Sequence, residues 1–220
     1  MHIKNLTIIG TSHIAKQSIE EIVSTIDSLK PDILAVELDR QRYEGLLSGA
    51  KHKPTFRDIK RFGVKGFLFA SLGAWAEKKL GQQVGVVPGA EMKKAIEIAR
   101  QNSIKLALID DDIENILKKI SSSLKWREKF NFLADIFKAI FKREKIKFDL
   151  NKVPEKELIK KMLGVVKKRY PSIYRVLIVD RNKIMANRLM NLMEQNPDKK
   201  ILAVVGAGHE EGIVRMIRNA

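Results

Sequence analysis

Four short apolar runs, Leu6–Ile9, Ile33–Val36, Leu106–Ile109 and Ile201–Val205, read as buried strands. Runs that do not alternate with polar positions have the pattern of parallel strands covered on both faces. Between the first two runs the period changes to that of a helix. Ile19, Ile22, Val23 and Ile26 share one side of Ala15–Leu29, and Pro31 and Asp32 supply the break before the next strand. After Pro88 and Gly89, the residues Met92, Ala95, Ile96 and Ala99 mark one face of a helix over Glu91–Arg100 that leads to Leu106–Ile109. A long helix then begins near Pro171, whose missing N–H costs nothing in a first turn, and ends near Asn196–Pro197, ahead of Ile201–Val205. Strand–helix–strand units of this size predict an α/β fold with a mostly parallel central sheet flanked by helices.

Two stretches exceed that minimal repeat. Phe62–Leu80 is apolar but interrupted by Gly63, Gly66 and Gly73. Lys125–Lys147 places Trp126, Phe130, Leu133, Phe137, Ile140 and Phe141 on one face, with Arg127, Lys138, Lys142 and Arg143 outside the stripe. The stripe reads either as helical cover for the sheet or as a lid or membrane-contacting surface. The expected organisation is a single domain over 1–220 with a basic, aromatic-striped helical insertion at roughly 113–170.

Charge sharpens this picture. The 220 residues hold 42 Lys and Arg against 26 Asp and Glu, a net charge of +16. Between Asn115 and Tyr170 the count is 17 against 6, so the insertion carries most of the surplus. Such a segment suits an anionic membrane surface or an acidic partner. Nucleic acid is a weaker candidate, because no known module is present and the aromatics are not interleaved with Lys for base stacking. Cysteine is absent, which excludes disulfides, thiolate metal sites and Cys nucleophiles. Met1–Gly10 runs straight into a strand-like segment, and no run of 18 apolar residues occurs. The expectation is a soluble domain in the cytoplasm or at the cytoplasmic face of a membrane, open to self-association.

Candidate chemistry collects where the runs end. Leu6-Thr-Ile-Ile-Gly-Thr-Ser-His13 aligns without a gap to Leu202-Ala-Val-Val-Gly-Ala-Gly-His209. Each is an apolar strand followed by Gly, two small residues and His. Loops leaving the carboxyl ends of parallel strands form the ligand crevice of α/β sheets. Two imidazoles there could share a metal ion, or one could act as a general acid–base. Glu37 directly follows Ile33–Val36, with Asp39, Arg40 and Arg42 beyond it, while Asp110, Asp111 and Asp112 follow Leu106–Ile109. An ionised Glu at the end of a buried strand demands a metal or an Arg; pairing with Arg42 is one solution. Asp110–Asp112 could equally cap a helix from Ile113. The Asp180–Arg181 pair, inside a predicted helix, reads as structural. Gly206-Ala-Gly-His-Glu-Glu-Gly212 misses the dinucleotide fingerprint by one residue, and no P-loop sequence exists.

At Gly10-Thr-Ser-His13, Val36-Glu-Leu-Asp-Arg-Gln-Arg42, Pro88-Gly-Ala-Glu-Met92, Leu108-Ile-Asp110, Asp180-Arg-Asn-Lys-Ile-Met185 and Gly206-Ala-Gly-His209 the chain resembles the TraB family. That family includes pheromone-shutdown proteins and is related to the GumN and Tiki proteins. The six pieces occur in order across nearly the whole chain. The resemblance to the Tiki branch, regarded as metal-dependent proteases with two Gly-x-x-His motifs and a Glu, implies His13, His209 and Glu37 as a metal-centred set. It also implies a C-terminal membrane region in many relatives. Relatives usually carry an acid before the Asp-Arg motif, where this chain has Val179. The expected activity is metal-dependent hydrolysis, peptidase-like, with Glu37 as ligand or base. Arg42 would orient Glu37 or stabilise an oxyanion, and Asp110 would join the catalytic group. With N and O donors alone, Mn, Co, Fe and Zn all qualify, and the expected ligand is a peptide or protein. The alternative is a non-enzymatic module that sequesters a peptide or docks at a membrane.

Overall fold

A computed structural model describes residues 1–11, 16–49, 89–128, 130–131, 134–135 and 155–220. His13, the Gly-interrupted segment Phe62–Leu80 and most of Lys125–Lys147 lie outside the described residues.

The described chain is α/β. Five strands, β1 (His2–Ile3), β2 (Leu6–Thr11), β3 (Ile33–Val36), β4 (Lys105–Leu108) and β5 (Ile201–Gly206), form one sheet in the order β1-β2-β5-β3-β4. All pairings are parallel except β1 with β2. The four apolar runs are therefore four parallel strands; the ends of β3 are as expected and those of the other three differ by at most two residues. The short antiparallel β1 has no apolar run to announce it.

The last strand is the central one. Every residue of β5 is buried, and it hydrogen-bonds β2 on one side and β3 on the other. Side chains alternate across a strand, so β5 feeds two cores. Ile201, Ala203 and Val205 join Leu6, Ile8, Ile33 and Ala35 on one face, while Leu202 and Val204 join Leu34 and Val36 on the other.

Helices cover both faces. Helix α1 (Lys16–Leu29) buries Ile22 and Ile26, and α3 (Ala90–Gln101) buries Met92, Ala95, Ile96 and Ala99, all in the second core. These are the stripes legible in the sequence. Between them in the chain, α2 (Arg40–Ser48) follows β3; α4 (Ile113–Ser123) follows β4. Helix α5 (Glu155–Arg169) is followed by α6 (Pro171–Tyr174), with proline in its first turn. The chain passes through a π-helical segment, Arg175–Asp180, into α7 (Arg181–Gln195). After β5 comes α8 (Ala207–Arg218). Met185, Ala186, Leu189 and Met193 of α7 and Ile213, Val214 and Ile217 of α8 close the first core.

This order fixes the site. The chain crosses from β2 to β3 over a gap that β5 later fills, so the carboxyl ends of β2, β5, β3 and β4 lie side by side along one edge. In the sheet Thr11 stands opposite Gly206. The gapless sequence match, which pairs Gly10 with Gly206, is thus one residue out of step with the structural register.

Candidate functional site

Glu37 continues β3 by one residue, its N–H bonded to Val204 O at 3.1 Å. The period of two sends its side chain to the face of Ile33 and Ala35, beneath α7 and α8. There it is buried to 8% exposure. Oε2 accepts from the Gly206 N–H at 2.5 Å, and Oε1 accepts from Arg181 Nη2 at 2.5 Å. The required cation is therefore Arg181, not Arg42.

Arg181 is the first residue after the π-helical turn, a feature frequent at functional positions. Its guanidinium spans two strand ends. Besides Glu37 it donates to both oxygens of Asp110, from Nε at 3.0 Å and Nη2 at 2.5 Å, and to Leu177 O one turn earlier at 3.2 Å. Asp110, just beyond β4, also accepts from Arg42 Nη2 at 2.5 Å. Arg42 is held by Asp39, the N-cap of α2, which accepts from its backbone N–H at 3.0 Å and its Nε at 2.5 Å. Arg188 donates to Asp110 O, and Lys119 pairs with Asp111 at 2.7 Å. Of the three consecutive acids, only Asp112 caps α4, accepting from the Glu114 N–H.

Four carboxylates thus meet three cations along one edge, with Arg188 added on the main-chain oxygen of Asp110, and among the described residues no buried side-chain N or O lacks a partner. Burial of this many charges is tolerable only with such complete pairing. Burial is the largest influence on the Glu37 and Asp110 pKa values and pushes both up. For Glu37, His209, Arg181 and the Gly206 N–H outweigh it and hold the carboxyl below its ordinary value. For Asp110, Arg181 and Arg42 outweigh it and bring the value down to about 2.

His209 lies in the first turn of α8 and is buried. Its Nδ1 meets Asn182 Oδ1 at 2.6 Å. A carbonyl oxygen only accepts, so Nδ1 carries the proton. Nε2 then faces Glu37 Oε1 at 3.4 Å. With Nε2 protonated this approach is an ion pair; with Nε2 bare, the two atoms could serve as donors to one cation.

The spacing of the two donors is compatible with a shared divalent ion. Two ligands bound at about 2.1 Å around a tetrahedral ion lie about 3.4 Å apart, and an ionised carboxylate has about four acceptor sites, so Oε1 can serve both Arg181 and an ion. The Asn182 contact is the second hydrogen bond that metal-binding imidazoles ordinarily make. Among the described residues no three His, Asp or Glu side chains are arranged to hold one ion. The expected third donor, His13, lies outside them, two positions after Thr11.

The structure accordingly brings together Glu37, Asp110, Arg42 and His209 of the residues singled out in the sequence. Two others, Arg181 and Asn182, were missed. The Asp180–Arg181 pair, inside a predicted helix, reads as structural in the sequence. Asn182 stands inside the Asp180-Arg-Asn-Lys-Ile-Met185 piece that carries the family resemblance, but nothing in its local pattern gives it a role; in the structure a Cβ added at Gly212 would collide with its amide.

Comparison with known proteins places this arrangement in context. The profile of the TraB/PrgY/gumN family matches residues 2–219. An uncharacterized protein of Methanocaldococcus jannaschii is 35% identical over 219 residues, covering 97% of this chain and 53% of its own length. TraB domain-containing proteins of Bos taurus and Homo sapiens are 26% and 24% identical, each over 94% of this chain and 60% and 61% of theirs. The chain thus spans between about half and three fifths of the length of these curated relatives.

Proposed function

This chain belongs to the TraB/PrgY/gumN family, and from that membership and the geometry around Glu37 we propose that it is a divalent-metal-dependent hydrolase acting on peptide bonds. One observation supports the reading: the 3.4 Å approach of His209 Nε2 to Glu37 Oε1, with Asn182 fixing the far side of the imidazole.

In this reading His209 and Glu37 hold the ion together with His13. When bound, the ion supplies Lewis acidity to a carbonyl and lowers the pKa of water toward about 7. Every other task falls to side chains. Asn182 keeps the His209 tautomer that presents Nε2 to the ion. Arg181 keeps Glu37 ionised and aimed, leaving the carboxylate able to act as ligand or base. Asp110, saturated by Arg181 and Arg42, is a positioning residue that fixes both guanidinium groups. Arg42 keeps 31% of its side chain exposed and so has donor capacity left for a developing oxyanion.

The test combines metal analysis with peptide cleavage. Purified protein is expected to retain about one Mn, Co, Fe or Zn per chain and to lose it in the His13→Ala/His209→Ala double variant. Unchanged metal content in that variant rejects the site. Recovery of a bound peptide intact, with metal present, would leave a sequestering module in place of the hydrolase.

A further inference from the structure

Away from this edge, the described parts of the basic segment carry exposed apolar side chains whose presence the sheet does not explain. Trp126 is 74% exposed and Phe130 67% exposed, and on α5 Val165 is 63% and Met162 48% exposed. Among the described residues, the other exposed large apolar side chains are Met1 and Val179.

A buried anchor sets this orientation. Glu128 is only 2% exposed; its Oε1 accepts from the Ser172 N–H at 2.7 Å and its Oε2 from the Lys125 N–H at 3.0 Å. Residues two positions before and after a helical residue lie about 200° around the axis. Fixing Glu128 inward therefore turns both Trp126 and Phe130 outward, stacked one turn apart. The same segment is tied to the end of α5, because Asn131 donates to Arg169 O at 3.3 Å. A shallow groove lined by Arg127, Asn131, Val165, Lys168 and Arg169 joins the two elements. Met162 and Val165, three residues apart, share a face of α5. Lys125, Arg127, Lys161, Lys167 and Lys168 around them are exposed.

We propose that this surface docks on an anionic phospholipid bilayer, Trp126 and Phe130 entering the headgroup–acyl boundary while the surrounding Lys and Arg meet the lipid phosphates. Charge complementarity selects this occupant: the segment from Asn115 to Tyr170 holds 17 Lys and Arg against 6 acids, and a surface of large aromatics rimmed by cations suits an interface that is apolar below and anionic above. A single-stranded nucleic acid would use aromatics as stacking platforms but gains nothing from exposed Val165 and Met162.

Co-sedimentation of the full chain with vesicles tests this directly. The expected result is binding to phosphatidylcholine–phosphatidylglycerol vesicles that falls in high salt and is about tenfold weaker on phosphatidylcholine alone. The Trp126→Ser/Phe130→Ser variant changes only exposed side chains, so circular dichroism should match the wild type while vesicle binding falls at least about tenfold. Absence of vesicle binding at low salt, equal binding by that variant, or Trp126-dependent binding to oligonucleotides but not to vesicles overturns the proposal.

Discussion

Asp110 shows how one buried carboxylate couples the site to the stability of the fold. Its side chain is fully buried and its pKa is drawn down to about 2 by Arg181 and Arg42, against an ordinary value of 3.8. A group with a depressed folded-state pKa stabilises the protein above its unfolded value and loses that contribution as pH falls through the folded one. The difference corresponds to about 2 kcal/mol, present above about pH 4 and disappearing toward about pH 2. Glu37, also lowered, adds in the same direction. Urea midpoints measured at pH 7, 4 and 2.5 should therefore fall steeply across the last interval. Asp110→Asn should be less stable at pH 7, with part of that acid-dependent fall removed; an unchanged pH profile would mean the carboxylate is not held by its two arginines. At this scale the sequence was only half legible. It demanded a cation for Glu37, but the two nearest arginines in the chain lie on α2, whereas the actual partner stands 144 positions away. Pairing at that distance depends on strand order, which no local pattern encodes.

Elements meet at close range where helices reach the sheet edge, and two glycines record it. A Cβ on Gly212 of α8 would collide with the amide of Asn182 on α7, and one on Gly10 of β2 would collide with the carboxylate of Glu210. Gly164, within α5, has nothing within 4 Å of the same construction. The pair Gly212→Ala and Gly164→Ala therefore separates backbone entropy from crowding. In open space the substitution should stabilise by about 0.5–1 kcal/mol, since glycine is a poor helix former. At Gly212 that gain should be reversed to a loss of about 1–3 kcal/mol, and the proposed metal ion should be retained more weakly, because Asn182 can no longer hold His209. Thermal melts and metal content of the two variants check both halves. Helices α1 and α3 were legible because their buried stripes obey a 3.6-residue period. The π-helical turn before Arg181 was not, because the one-residue change of register it introduces leaves the apolar spacing of the long helix almost intact.

At the scale of the molecule, strand existence was readable and strand order was not. Continuous apolar runs mark strands buried on both faces, which is why all four parallel strands were identified, but β5 and β3 carry runs of the same kind and nothing in either says which is central. The placement of β5 has a measurable consequence. Its residues from Ile201 to Val205 are 0% exposed and are paired on both sides, whereas β4, among the described residues, lies at the edge of the sheet and has exposed or half-buried positions. Amides of a doubly paired, fully covered strand exchange with solvent only when the domain unfolds as a whole, while edge strands also exchange through local opening. Native-state hydrogen exchange should therefore give Leu202–Val205 protection equal to the global unfolding free energy, with a denaturant dependence matching that of global unfolding. Leu106–Leu108 should exchange faster and with a shallower dependence. Because Gly206 N–H and His209 sit at the end of β5, equal protection of the two strands would displace not only the centre of the sheet but also the rigid platform on which Glu37 and His209 are held together.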